Sequence, residues 1–147
     1  VTRRQRQMCI RDRIGDDEDL FSKELDILAP CALGGVLGPE QISGMKARMI
    51  CGTSNNVLVD PDRDGQMLKE RGIIYAPDFI ANAGGLIRLA GLYLGLTEDE
   101  IDRKVGRIED TTREVLEDTR NYASAYEAAV SYARRRIEAG RTTTAGV

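Results

Sequence analysis

Three short apolar runs, each stopped by a loop rich in glycine, proline, asparagine or cysteine, constrain this chain more than any other feature. They are Leu25-Asp26-Ile27-Leu28-Ala29-Pro30, Ala47-Arg48-Met49-Ile50-Cys51-Gly52 and Ile73-Ile74-Tyr75. Each has the length of a strand and is too short for a stable helix. The first reads as a buried strand. Helix signals lie between them. Gly34, Gly35 and Gly38 mark a loop, and Pro39 opens a short helix to Gly44, with proline in the first turn where its missing N–H costs nothing. Asp60 before Pro61 reads as an N-cap and first helical residue, and that helix ends near Gly72. Strands alternating with helices in this order predict βαβ units, hence a parallel sheet and an α/β fold.

In open parallel sheets, ligands lie outside the carboxyl ends of the strands. The loops Pro30–Gly35, Thr53–Asn56 and Pro77–Gly85 would therefore meet on one rim. The richest of the three sits in Ala76-Pro77-Asp78-Phe79-Ile80-Ala81-Asn82-Ala83-Gly84-Gly85-Leu86-Ile87. Asn82 is expected to cap a helix start whose free amides and dipole favour electron-rich ligand groups. Gly84 and Gly85 carry no side chain to hold a flat ring or a carboxylate away from the backbone.

Composition excludes several function classes. At 147 residues and 41% hydrophobic content the chain is long enough for one domain with a real core, and disorder is not indicated. It holds no apolar stretch near the roughly 20 residues a bilayer crossing needs. Cys9, Cys31 and Cys51 form no Cys-x-x-Cys pair, which points to a reducing, cytoplasmic setting. The absence of histidine removes an imidazole base and a His-bound zinc from any mechanism within this chain, and no metal site is expected. Residues 1–13 carry a net charge of +4, against −7 for the remainder. With no apolar stretch and no amphipathic spacing, this leader reads as non-native and resembles a translated sequencing-adapter read. The acidic remainder has no basic stripe, so nucleic acid is not an expected partner.

Beyond Gly91 the strands stop. Ile101, Val105, Ile108, Val115 and Leu116 form a helical stripe between Glu98 and Thr119. Ser124 and Glu127 have capping-box spacing ahead of a last helix with Val130, Ala133 and Ile137 on one side. Residues 140–147 read as a frayed tail.

The segments Leu25-Asp26-Ile27-Leu28-Ala29-Pro30-Cys31-Ala32-Leu33-Gly34-Gly35, Ser54-Asn55-Asn56, Tyr75-Ala76-Pro77-Asp78 and Asn82-Ala83-Gly84-Gly85 resemble, in order and spacing, the C-terminal part of the glutamate/leucine/phenylalanine/valine dehydrogenases. The likeness runs from about Asp16 to about Ile137. It implies the second half of a Rossmann-like parallel sheet followed by C-terminal helices. Residues 14–95 would be a partial NAD(P)-binding domain, 96–139 helices packing back on it, and 140–147 a tail. The implied activity is oxidative deamination of an L-amino acid to a 2-oxo acid and ammonia, with NAD as cofactor and NADP left open. A homo-oligomer is implied for the full-length protein. The resemblance places Cys31, Ala32 and Leu33 beside the cofactor ribose, Asn55 near the nicotinamide, and Asn82 against the substrate or nicotinamide. Ala83, Leu86 and Leu89 would line the substrate pocket. The apolar Leu89 offers no hydrogen bond to a side-chain carboxylate, which favours leucine, valine or phenylalanine over glutamate. The plain alternatives are that Asn55 holds its turn, Asn82 caps its helix, and both leucines pack in the core. Cys31 reads as a small buried filler, since no histidine or thiol partner is available.

The family's lysine-bearing glycine segment has no counterpart here, and the Gly-x-Gly-x-x-Gly phosphate loop is also missing. No catalytic residue is therefore assigned to this chain, which reads as a fragment inactive by itself. Two other readings stay open: the cofactor domain of another two-domain dehydrogenase, and a non-catalytic dinucleotide-binding or assembly module.

Overall fold

The computed structural model describes residues 20–144 of the 147, with side chains through residue 141. The leader expected over 1–13 lies outside the described residues, as do residues 145–147. A 3-10 turn at Leu20–Ser22 leads into β1 (Ile27–Leu28), α1 (Pro39–Gly44), β2 (Met49–Ile50), α2 (Pro61–Glu70) and β3 (Ile74–Tyr75). Then come α3 (Asp78–Ala81), α4 (Gly84–Tyr93), α5 (Glu98–Asp118), a second 3-10 turn at Thr119–Asn121, and α6 (Ala125–Thr144).

The strands form one parallel sheet in the order β1-β2-β3. Its register makes two cross-strand rows. Leu28, Ile50 and Tyr75 form the inner row, 5%, 0% and 4% exposed, and pack on Leu37, Ile42 and Leu68. Ile27, Met49 and Ile74 form the other row, and its end members are 58% and 48% exposed. The first run is therefore buried on one face only, a correction to the expected buried strand. Successive side chains point to opposite faces, and the described helices cover one of them.

Helix ends follow their local signals. The Asp60 carboxylate accepts from the Arg63 N–H at 3.2 Å, and Gly72, at φ 70°, turns the chain out of α2. Buried Asp64 braces the same turn, accepting from the Asp60 N–H at 2.7 Å and the Arg63 Nε at 2.8 Å. Burial works against its ionisation, but these donors and the Val59 N–H outweigh it and hold its pKa below the ordinary value. Thr97 and Glu100 form a reciprocal capping box at the start of α5. At α6 the Glu127 N–H donates to Ser124 Oγ, while the Glu127 carboxylate accepts from Ala123, one residue earlier than the expected box requires.

On α5, Ile101 and Val115 are fully buried and Val105, Ile108 and Leu116 partly so. The buried side of α6 is Ala125, Ala128 and Ala129. Val130 and Ala133 are only half-buried, and Ile137 is 56% exposed. The expected stripe followed side-chain hydrophobicity, but proximity decides: α6 packs on α2 and α5. A Cβ at Gly65 would stand only 3.2 Å from Ser124, so small residues must face the crossing. Helix α6 continues to Thr144, through the start of the segment read as frayed. Among the described residues, no helix is long and apolar enough to cross a membrane.

Candidate functional site

The three loops at the carboxyl ends of the strands converge. The Ser54 N–H donates to the Pro30 carbonyl at 3.0 Å, and the Gly35 N–H to the Asn56 carbonyl at 2.7 Å, joining the loops after β1 and β2. A single amide closes the third side. Asn82 Nδ2 donates to Asn55 Oδ1 at 2.6 Å and lies 3.3 and 3.4 Å from the Thr53 and Ser54 carbonyls. Cys31 is hydrogen-bonded to Thr53 on the same rim.

Two glycines and a buried carboxylate, none foreseen from sequence, make this approach possible. A Cβ on Gly52 would fall 2.0 Å from the Pro30 carbonyl oxygen, and one on Gly34 would fall 2.4 Å from the Asn55 carbonyl oxygen. Backbone fills both places, so only hydrogen fits. Asp78, 7% exposed, accepts from the Val57 N–H at 3.0 Å and the Phe79 N–H at 2.7 Å, fastening the loop after β2 to the start of α3. Burial, and then the charge of Asp78, push the neighbouring Tyr75 phenol above its ordinary pKa, so it stays protonated. A glycine closing an apolar run and the Pro77-Asp78 pair were the available sequence signals.

Several expectations change on this rim. Asn82 does not cap α4. It is the C-cap of α3, a short turn inserted before the glycines, and its backbone N–H returns to the Asp78 carbonyl at 2.8 Å. Its side chain is thereby turned to the 53–55 loop, and α4 has Ala83 at its N-cap position with no side-chain cap. Cys31 is exposed and is not a buried filler, because its loop runs over the end of the sheet. The Thr53 side chain, then its backbone, lower the Cys31 thiol pKa through hydrogen bonds. Ala32 and Leu33 are exposed beside it, Leu33 by 75%. Asn55 is exposed, and Asn56 next to it takes a positive φ of 52°, so the turn-holding residue is Asn56.

Leu86 and Leu89, 71% and 68% exposed, are not core. With Leu92 and Tyr93 they form an apolar strip along α4, on the side away from α5. Ala83 is half-buried and faces a cavity on the other side of the α3–α4 elbow. Arg88 pairs with Glu98 at 2.9 Å while staying half-exposed. Among the described residues, no three acidic or cysteine side chains are grouped to hold a metal.

The rim has one uncharged donor and one uncharged acceptor to spare. Asn82 Nδ2 is used by the loop, which leaves Asn82 Oδ1 and Asn55 Nδ2 without a partner among the described residues. That pairing matches a carboxamide, which presents the complementary N–H and C=O. The exposed Cys31–Leu33 loop offers the adjacent surface.

The sequence model of the family described as Glutamate/Leucine/Phenylalanine/Valine dehydrogenase matches residues 5–144, beginning within the segment read as a leader. A leucine dehydrogenase from Thermoactinomyces intermedius is 40% identical over 127 residues, 86% of this chain and 34% of that protein. A phenylalanine dehydrogenase from Caldalkalibacillus thermarum is 34% identical over 82% of this chain and 33% of its own length. The crystal structure of L-tryptophan dehydrogenase from Nostoc punctiforme superposes with a TM-score of 0.76 at 37% identity, over 81% of this chain and 36% of that one. The chain thus spans about a third of the length of the curated relatives it matches.

Proposed function

Because the chain belongs to the glutamate/leucine/phenylalanine/valine dehydrogenase family, we propose that it forms the nicotinamide-facing rim of an NAD-dependent amino acid dehydrogenase. The reaction proposed is removal of the Cα hydride from an L-amino acid and hydrolysis of the resulting imine to a 2-oxo acid and ammonia. NAD, when bound, supplies the hydride acceptor. Asn55 and Asn82 orient the nicotinamide carboxamide through the spare donor and acceptor, and Cys31, Ala32 and Leu33 flank the ribose. Leu86 and Leu89 face the substrate side chain, while Ala83, turned to the opposite side of the elbow, does not join them. Residues 14–95 act as the cofactor-binding part, and the helices of residues 96–139 brace it.

The observation that carries this reading is the 2.6 Å bond from Asn82 to Asn55, which fastens the loop after β3 to the loop after β2, itself bonded to the loop after β1, at the carboxyl end of a parallel sheet. The exposed, apolar Leu86 and Leu89 favour an aliphatic or aromatic substrate. A carboxylate brought against them would lose water without gaining a partner, at a cost of several kcal/mol.

Two measurements test it. Saturation-transfer NMR on chain 1–147 with NAD should show transfer to the nicotinamide protons, lost in Asn82→Ala. Transfer confined to the adenine, or unchanged in the variant, would refute the rim assignment. Mixed with NAD and a panel of amino acids, the chain alone should produce no NADH, whereas the full-length enzyme should turn over leucine, valine or phenylalanine faster than glutamate. The reverse order would overturn the substrate reading.

A further inference from the structure

Behind the elbow that carries Asn82 lies a second hollow. It is a cavity of about 420 Å³ between α3, the start of α4, α5 and α6, within the roughly 300–1,000 Å³ usual for small-molecule sites. Ile80, Ile87 and Ile108 give it an apolar floor, and the Tyr132 ring forms one wall. Its mouth is cationic. Lys104 and Arg107, three residues apart, share a face of α5 with Ile108, and Arg136 approaches from α6 with its guanidinium 5.9 Å from the Tyr132 ring centroid.

None of these three cations has a carboxylate oxygen within 4.0 Å among the described residues. The adjacent Arg135, by contrast, is engaged with Asp118 and the Tyr122 hydroxyl. Glu114 lines the neighbouring hollow with Arg107 and Arg136 and pairs with neither. Residues 14–147 carry a net charge of −7, so three unpaired cations around one apolar cavity run against the character of the whole. Lys104 feels Glu100 one turn away only at longer range, so the three cations border the apolar site without a carboxylate in contact among the described residues, an arrangement complementary to a ligand with an anionic head and an apolar body.

We propose that this cavity binds an amphipathic anion, the apolar body lying on Ile80, Ile87 and Ile108 and the head held by Lys104, Arg107 and Arg136. The site is independent of the nicotinamide rim and shares only the α3–α4 elbow with it. The test is titration of ¹⁵N-labelled chain 1–147 with octanoate, octyl phosphate and octanol, followed by NMR at the Ile108, Thr111 and Ala133 amides. Both anions should shift these amides saturably, and octanol should bind at least about tenfold more weakly. Comparing octanoate with octyl phosphate distinguishes a carboxylate from a phosphate head. Arg107→Gln combined with Arg136→Gln removes charge at two exposed positions and should weaken anion binding about tenfold while leaving the octanol titration and the far-UV circular dichroism unchanged. Equal binding of octanol and octanoate would reduce the site to an apolar hollow and overturn the proposal. So would shifts centred on Leu86, Leu89 and Leu92, or the same shifts produced by protein concentration alone, which would assign the groove to a second copy of the chain.

Discussion

Replacing Asp78 with alanine should loosen the rim at a cost that can be worked from two hydrogen bonds. Its carboxylate satisfies the Val57 N–H at 3.0 Å and the Phe79 N–H at 2.7 Å. Val57 is 2% exposed, so its orphaned N–H bears nearly the whole desolvation penalty of a buried donor, about 1–3 kcal/mol. Phe79 is 40% exposed and opens a helix, so water reaches its N–H and the loss there is smaller, roughly 0.5–1 kcal/mol. Removing the buried carboxylate returns part of its own desolvation. The net expectation is about 2–3 kcal/mol, a large share of the 5–15 kcal/mol typical of a domain. Urea unfolding followed by circular dichroism should show a midpoint lowered by about 1–2 M. Hydrogen exchange should show the Val57 amide losing protection before the sheet amides do. Asp78→Asn, which keeps one acceptor, should fall between parent and alanine. A destabilisation under about 0.5 kcal/mol, or an unchanged Val57 exchange rate, would refute Asp78 as the fastener of this loop.

Gly52→Ala places a Cβ 2.0 Å from the Pro30 carbonyl oxygen and should cost about 3 kcal/mol or more in urea unfolding. Gly44→Ala, with nothing within 4 Å, should be neutral or stabilising by roughly 0.5 kcal/mol. Ser54 buries a hydroxyl with no partner among the described residues, so Ser54→Ala should leave stability unchanged or raise it by about 0.5–1 kcal/mol; a clear loss would reveal a hidden partner. The folded-state pKa of Asp64 is lowered, so its stabilising contribution is complete above the unfolded carboxylate value and disappears as pH falls through the folded one. Parent and Asp64→Ala should thus differ by about 1–3 kcal/mol at neutral pH, with the gap closing only on the acid side. Cys31, exposed with a lowered thiol pKa, should alkylate faster than half-buried Cys51, and NAD should slow it selectively; equal rates with and without NAD would count against the ribose assignment.

What could be read from sequence, and what could not, divides along a physical line. Strand and helix positions are local properties. Pro39, Asp60-Pro61 and Gly72 act through their own dihedrals and hydrogen bonds, and the elements began and ended where these residues placed them. The convergence of the loops bearing Cys31, Asn55 and Asn82 was also legible, because parallel strands must place their carboxyl ends together. The mechanism of convergence was not. Asn82 was expected to serve its own helix, yet it reaches 27 residues back to Asn55, and no spacing along the chain encodes that choice. Gly52 and Gly34 looked like loop punctuation, but their smallness answers to backbone lying 2–3 Å from where a Cβ would stand.

The same division explains the two surfaces that sequence misread. A hydrophobic stripe shows which residues prefer burial; how closely another helix approaches decides which are buried. On α6 the close crossing beside Gly65 is met by Ser124 and Tyr126, Ala125 joins the sheet-side core, and Ala128 and Ala129 pack with Ile80 and Val115, while the larger Val130 and Ile137 stay outside. On the sheet, every strand residue is apolar enough for either face, so pattern alone could not show that the row through Ile27 and Ile74 stays uncovered. Burial is a relation between elements and periodicity a property of one. The residues that make the rim, Gly34, Gly52, Asp78 and the Asn55–Asn82 pair, matter through partners distant in sequence. Substituting any one of them should therefore disturb the other loops of the rim more than its own element.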